Sequence, residues 1–394
     1  MVERRTIPAM SAPPPDPAFA ACPDRRDTGS EKWDRWSGRD VLPLWVADMD
    51  FRTADVILDA IHARVDHGVF GYTNPPPGFA PALVEHLAAR HGWQVDPGCV
   101  VGTPGVVTGL AITARLLAEP GDEILSFTPV YPPFLTLPGL AGRKVVGVPL
   151  VPSETAWEID WDRLAAAVSP RTRLFWLCQP HNPTGTVFTA AELTRLAEFA
   201  ARHEITVVSD EIWSDLVLDE EAGIQHVPFA SLDHPRARAA ITLTAASKTW
   251  NLAGLGCAAA IVPDSTLRRR LRPAGGGLVP MVNPLGYAAS EAAWRHGDDW
   301  RRRLVTLLRH HRELVQQACH RIPGLSCIPA SATYLAWIDC RGTGRADPQA
   351  ACEAAGLGPS DGREFGAPGF IRLNLGCPTP RLEEALRRLQ AAFA

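Results

Sequence analysis

Lysine is nearly absent from this sequence. Of 394 residues, only Lys32, Lys144 and Lys248 are lysines, and the remaining basic residues are arginines. The formal net charge is −4, so the chain lacks the positive field that would favour nucleic acid or an acidic membrane surface. No apolar run approaches the ~20 residues that span a bilayer. No apolar stretch follows Arg4 and Arg5, and a secretory signal is therefore not expected. The nine cysteines contain no C-x-x-C pair. Such an odd, unpatterned set reads as reduced thiols in a cytoplasmic protein, several of them core hydrophobes. Internal repeats and metal-ligand spacings are missing too, so no metal is expected. What is present is ordinary for a soluble globular chain: 46% hydrophobic and 21% charged residues. The length predicts a large domain with a smaller one.

Residues 1–20 carry Pro13, Pro14, Pro15 and Pro17 and read as a loose N-terminal arm. From about residue 54, helical patterns alternate with short apolar strands. Helices are expected at 54–65, 79–91 and 106–117, and strands at 124–127, 172–178, 205–209 and 241–244. Thr189-x-x-Glu192 is a capping-box signature that opens a helix running to about His203. A long helix, short strands and a final amphipathic helix follow residue 288. The class is α/β, with a mostly parallel sheet covered on both faces. The expected division is an arm at 1–20, a small α+β domain from 21–53 with 288–394, and a large domain at 54–287.

In such sheets the chemistry sits in loops past the C-terminal ends of the strands, and four of these loops hold unusual residues. Thr103-Pro104-Gly105-Val106 opens a helix whose free N–H groups could take an anion, although a glycine there can equally be only a turn. Gln179-Pro180-His181-Asn182-Pro183-Thr184-Gly185 is rigid enough to aim Asn182 at a ligand, or simply to be a rigid loop. Asp210-Glu211 ends a buried strand, where a carboxylate needs a cation. Ser247-Lys248-Thr249 places one of three lysines among apolar neighbours, where its pKa can fall and the amine can act as nucleophile or base. Amine, carboxylate, amide and anion cradle together match the needs of pyridoxal phosphate: a Schiff base, a pyridinium partner, a ring-oxygen contact and a phosphate site. Two other features carry less. Gly254-Leu255-Gly256 lacks the third glycine of a dinucleotide fingerprint, and His310-His311 among arginines reads as a solvated helix face.

The order and spacing of Pro180–Gly185, Asp210-Glu211 and Ser247-Lys248 resemble the fold-type I pyridoxal-phosphate enzymes, the aspartate aminotransferase superfamily of class I and II. Leu44–Phe51, Gly68–Tyr72, Thr103–Val107, Pro129–Phe134, Ser247–Leu255 and Arg372–Asn374 are most similar to its cystathionine β-lyase and cysteine-S-conjugate β-lyase branch. The resemblance runs from about Cys22 to the C-terminus. It implies a mostly parallel seven-stranded sheet in the large domain, and a homodimer with shared active sites. Residue by residue it implies that Lys248 holds the cofactor covalently and moves the substrate's α-proton. Asp210 would pair with the pyridinium nitrogen, Asn182 would contact the ring hydroxyl, and Tyr131 would stack on the ring. Ser247 with the backbone of Gly105 and Val106 would hold the phosphate, and Tyr72 would reach the phosphate of the neighbouring subunit. Arg372 would fork the substrate carboxylate, with Asp48 and Tyr131 on the same substrate side. Two positions depart from the pattern. Trp213, which by the resemblance would lie beside the cofactor, stands where aminotransferases carry Tyr and these lyases often His, and Gln179 stands where the branch usually has Asn.

The activity this implies is β-elimination from an amino-acid thioether, an S-substituted cysteine or cystathionine, giving a thiol, pyruvate and ammonia. Transamination shares the same residues and differs in where the proton returns. Decarboxylative oxidative deamination of an S-cysteinyl conjugate would also run on this scaffold. A pyridoxal-phosphate-sensing regulator is disfavoured, because the proline-rich start leaves no room for a helix-turn-helix segment.

Overall fold

A computed structural model describes residues 16–271 and 273–394. Seven strands form the main sheet: β1 (Val100–Thr103), β2 (Glu123–Thr128), β3 (Lys144–Pro149), β4 (Thr172–Cys178), β5 (Thr206–Asp210), β6 (Ile241–Thr244) and β7 (Ala258–Ile261). Their order is β1-β7-β6-β5-β4-β2-β3. Only β7 runs against its neighbours. The six parallel strands therefore deliver their C-terminal ends to one edge, the expected place for a site. The sequence of β4 shows why the sheet is covered on both sides. Phe175 and Leu177 belong to one apolar core, Leu174, Trp176 and Cys178 to another, so the run is continuous rather than alternating.

Helix α1 (Val106–Leu117) starts where β1 ends and turns Val106, Leu110 and Ala114 inward. It lies close on the sheet because residue 109 is glycine: a Cβ there would stand 2.9 Å from Leu243 Cδ2. The capping box of Thr189 and Glu192 is formed and opens α2 (Ala190–Arg202). The last part of the chain holds the long helix α3 (Asp298–Arg321) and a second, antiparallel sheet. Its strands are β8 (Leu335–Asp339), β9 (Ser360–Asp361) and β10 (Phe370–Asn374), in the order β8-β10-β9. The chain's beginning joins this part: Leu42–Pro43 pairs in parallel with Leu357–Gly358.

Three expectations change. Residues 1–15 of the arm lie outside the described residues. Its end is docked, not loose: Asp16 caps the turn Pro17–Ala20, and Phe19 packs edge-on against Phe51 and Trp300 at 5.0 and 5.2 Å. His311 is fully buried rather than solvated. It sits between Leu375 O and Thr379 Oγ1, each 2.9 Å away, and burial pulls its pKa down to about 4. The third concerns spacing. His86, His91 and Asp215 meet with their ligand atoms within 4.8 Å of one another, a grouping that sequence spacing had not shown. His86 Nε2 is 2.9 Å from the carboxylate, and Arg90 Nε stands 3.8 Å from the same oxygen. With a guanidinium that close, the group is an anchored anion rather than a cation site.

Candidate active site

Lys248 lies on the turn after β6, recessed but partly open to solvent. Its Nζ donates to Ala47 O at 2.7 Å and stands 5.6 Å from the Trp213 ring. Burial pulls the amine down to about 8. Arg372 acts in the same direction, and Asp48 and Asp210 oppose it. A lysine with its proton this loosely held is suited to nucleophilic and base chemistry.

Asp210 is the last residue of β5, and its Oδ1 accepts from Ile212 N at 3.1 Å. Burial pushes its carboxyl up to about 7. An acid in this state lacks a partner of opposite charge, and a ring N–H⁺ would supply one.

The loop after β4 is braced on two sides, and this accounts for Gln179. Its side chain imitates a strand: Oε1 accepts from Phe188 N at 3.1 Å and Nε2 donates to Phe188 O at 3.2 Å. That bridge closes the loop across Asn182. On the other side, Gly185 presses against the 330–332 segment, where a Cβ would meet Ala330 Cβ at 2.3 Å. Its φ of +70° also favours glycine. Within this frame Asn182 O accepts from Tyr131 N at 3.0 Å. Asn182 Oδ1 accepts from Arg372 Nη1 at 3.0 Å, which leaves Nδ2 as the donor available to a ligand.

Arg372, on β10, comes from the second sheet. Its Nη2 donates to Trp45 O at 2.7 Å and to Ser360 Oγ at 3.2 Å, and its plane lies 4.6 Å from the Phe365 ring. Nε is buried and has no partner. Burial pulls the guanidinium down to about 10. This is a pre-oriented fork with a donor unused, as recognition of a carboxylate requires.

Gly105 opens α1 with φ +153°, a glycine conformation, and no side chain caps that helix. The loop following Lys248 closes on it: a Cβ at Gly256 would stand 3.4 Å from Pro104 O. Ser247 lies on the same loop, its carbonyl accepting from Leu252 N at 2.9 Å. The α1 N-terminus, uncapped by any side chain, thus lies against this turn with N–H groups suited to a phosphate.

The structure brings together Lys248, Asp210, Asn182, Arg372, Tyr131, Trp213 and Asp48, and places Gly105, Val106 and Ser247 at the sheet's C-terminal edge. Tyr72 is not among them. Its side chain is fully in solvent, with Val69 and Phe70 also exposed. Trp213 is buried against Tyr334, ring centres 4.8 Å apart. Tyr334 itself was not foreseen: it is buried, and its hydroxyl donates to Ala47 O at 2.8 Å, the carbonyl that Lys248 uses. Ser360 and Phe365 were likewise missed, and no local motif marks any of the three. Lys32, which composition alone cannot separate from Lys248, is fully buried in an ion pair with Asp50 at 3.0 Å. Amine, unpartnered acid, amide and anion cradle therefore fit pyridoxal phosphate on this chain's own geometry.

Comparison with known proteins follows the same line. The model of the family described as aminotransferase class I and II matches residues 39–389. The cystathionine beta-lyase PatB of Bacillus subtilis (strain 168) is 37% identical over 387 residues, covering 94% of this chain and 98% of that protein. Among solved structures, OvoB superposes with a TM-score of 0.92 at 44% identity, over 95% of this chain and 99% of that one. The PLP-bound C-S lyase from Staphylococcus hominis superposes with a TM-score of 0.88 at 28% identity, over 95% and 98%. No described helix is long and apolar enough to cross a membrane.

Proposed function

The chain belongs to the family of class I and II aminotransferases, and we propose that within it the protein is a pyridoxal-phosphate-dependent carbon–sulfur β-lyase. It cleaves an S-substituted cysteine or cystathionine to a thiol, pyruvate and ammonia. The observation that carries this is the recessed Lys248 amine, held on Ala47 O without a salt bridge, in a chain resembling named lyases over nearly its whole length.

Pyridoxal phosphate, when bound, supplies the electron sink that makes the substrate's α-proton acidic. The chain supplies the rest. Lys248 holds the cofactor and moves the α-proton. Asp210 keeps the ring nitrogen protonated. Asn182 Nδ2 donates to the ring oxygen, and Tyr131 covers one face. The α1 N-terminus at Gly105 and Val106, with Ser247, binds the phosphate. Arg372 orients the substrate carboxylate through its free Nε. Trp45 to Asp48 and Tyr131 form the wall on the substrate side. Trp213 is an apolar buttress beside the lysine, where an indole can offer only a donor.

The exposed Val69, Phe70 and Tyr72 support a homodimer in which Tyr72 reaches the site of the second copy. Nine free cysteines support a reducing, cytoplasmic setting. The deciding experiment incubates the protein with cystathionine and S-alkyl cysteines and follows products. Pyruvate and thiol over many turnovers, without an added keto acid, is the expected outcome. A reaction that stops after one turnover and restarts with a keto acid would make the protein a transaminase.

A further inference from the structure

The Lys248 amine does not face the cofactor side alone. Its acceptor, Ala47 O, is followed in the chain by Asp48, a residue with an unusual imbalance. Asp48 Oδ2 accepts from Arg25 Nη2 at 2.6 Å, while Oδ1 is buried and has no hydrogen-bond partner. A buried, unpartnered carboxylate oxygen is costly unless a cation lies near it. The residue is also held hard in place. Asn374 Nδ2 donates to Val46 O and Asp48 O, each at 2.6 Å, and Asn251, three residues past Lys248, brackets Met49 through its N–H and carbonyl at 2.9 Å. Asp48 is thus held next to Ala47, the lysine's acceptor, by Asn374 of the second sheet and Asn251 of the loop after Lys248.

The groups around Lys248 Nζ are few. They are Arg372, Asp48 and Asp210 by charge, Tyr334 on the shared carbonyl, and the Trp213 ring. Arg25 pairs with the other oxygen of Asp48 at 2.6 Å. In the loaded enzyme Asp210 is matched by the ring nitrogen. Among the described residues, Asp48 is then the anion left facing the lysine.

We propose that Asp48 is a positioning residue for Lys248, holding the amine beside Ala47 O and keeping the abstracted proton on Nζ until it is delivered to the leaving sulfur. The inference rests on the lyase reading and assigns Asp48, beyond its place in the substrate-side wall, a task exerted through the lysine. The step balances. The Cα–H proton passes to Nζ, and its electron pair becomes the second bond between Cα and Cβ. The Cβ–S bond breaks with its pair going to sulfur, and Nζ–H protonates that sulfur. A thiol leaves and the amine is neutral again. Without a nearby anion, the ammonium would shed its proton to solvent before the sulfur took it.

The test reads the charge environment of the lysine nitrogen through its protonation in the resting holoenzyme. The visible absorbance of the lysine-bound cofactor is titrated in the holoenzyme from about pH 5 to about pH 10. A nearby anion raises the pKa of a protonated nitrogen by about one unit or more. Asp48→Asn should therefore move the midpoint down by about one pH unit. Arg25→Ala should move it up, because it removes a cation and leaves the anion. A wall merely loosened by either change would shift both midpoints the same way. No shift in Asp48→Asn, or equal signs in the two variants, overturns the proposal. Should Asp48→Asn fail to fold, Arg25→Ala decides alone: an upward shift supports it, and no shift or a downward one overturns it. A wild-type protein that takes up cofactor yet shows no band from Lys248 would instead sink the lyase reading on which this rests.

Discussion

At the scale of single residues, Asp210 carries the sharpest consequence. Asp210→Ala should cost far more turnover than Trp213→Phe. On the proposed reading, the first removes the anion that keeps the ring nitrogen protonated. The second removes at most a tuning hydrogen bond of about 1 kcal/mol. Steady-state kinetics on an S-alkyl cysteine compares them, and equal losses would reverse the ranking. The raised carboxyl of Asp210 also fixes a pH signature for the cofactor-free protein. Its folded pKa, about 7, lies above the ordinary 3.8, so between those values the folded state binds the extra proton. That contribution is full below pH 3.8 and is lost as pH rises through about 7. Three units correspond to at most ~4 kcal/mol. Melting curves of apoprotein at about pH 5 and about pH 7.5 should show the loss, and Asp210→Asn should flatten it. A wild-type apoprotein equally stable at both would contradict the burial argument.

At the scale of elements, the loops matter more than the strands they follow. Gln179 spans both backbone groups of Phe188 with one side chain, and both partners are buried. Gln179→Ala would leave a buried N–H and C=O unpaired, at about 1–3 kcal/mol each. The loop holding Asn182 would then loosen, so a lower melting temperature should accompany weaker cofactor retention. Gln179→Asn, one methylene shorter, should recover only part of both. A variant that melts lower yet keeps cofactor as tightly would show that the clamp serves stability alone. The turn bearing Trp213 is held by similar means. At its start Glu211 takes Ser209 Oγ, His226 Nε2 and Phe229 N, and at its end Asp215 takes His86. Two carboxylates turned away from the site thus fix an indole turned toward it.

At the scale of the whole molecule, the site is a seam. Arg372 arrives from the second sheet and Tyr334 from the residue before it, Ala47 and Asp48 from the chain's beginning, and Lys248 and Asp210 from the strand ends of the main sheet. The beginning is pinned by Asp50, which takes Lys32 at 3.0 Å, Arg381 at 2.9 Å and Arg25 at 3.1 Å. Tyr72 is the piece that one chain does not place. If the proposed homodimer shares its sites, mixing inactive Tyr72→Phe and Lys248→Ala proteins should restore part of the activity, because each hybrid dimer would hold one site with both residues intact. Exchange proven by mass, with no activity regained, would argue for self-contained sites.

The sequence by itself determined the elements and the chemistry-bearing loops. Helix 106–117, strands 172–178 and 241–244 and the Thr189 capping box could be read locally, because period, turn residues and caps are local signals. Lys248, Asp210 and Asn182 were legible for the same reason: each lies at a strand end or within a few residues of one. Tertiary structure alone decided the partners. Tyr334 reaches Ala47 across 287 residues and Arg372 reaches Asn182 across 190, contacts that no window of sequence contains. It also decided burial. His311 looked solvated among arginines, yet it lies on the buried face of its helix, between Leu375 and Thr379. Periodicity gives a face its polarity, and only packing says what covers it.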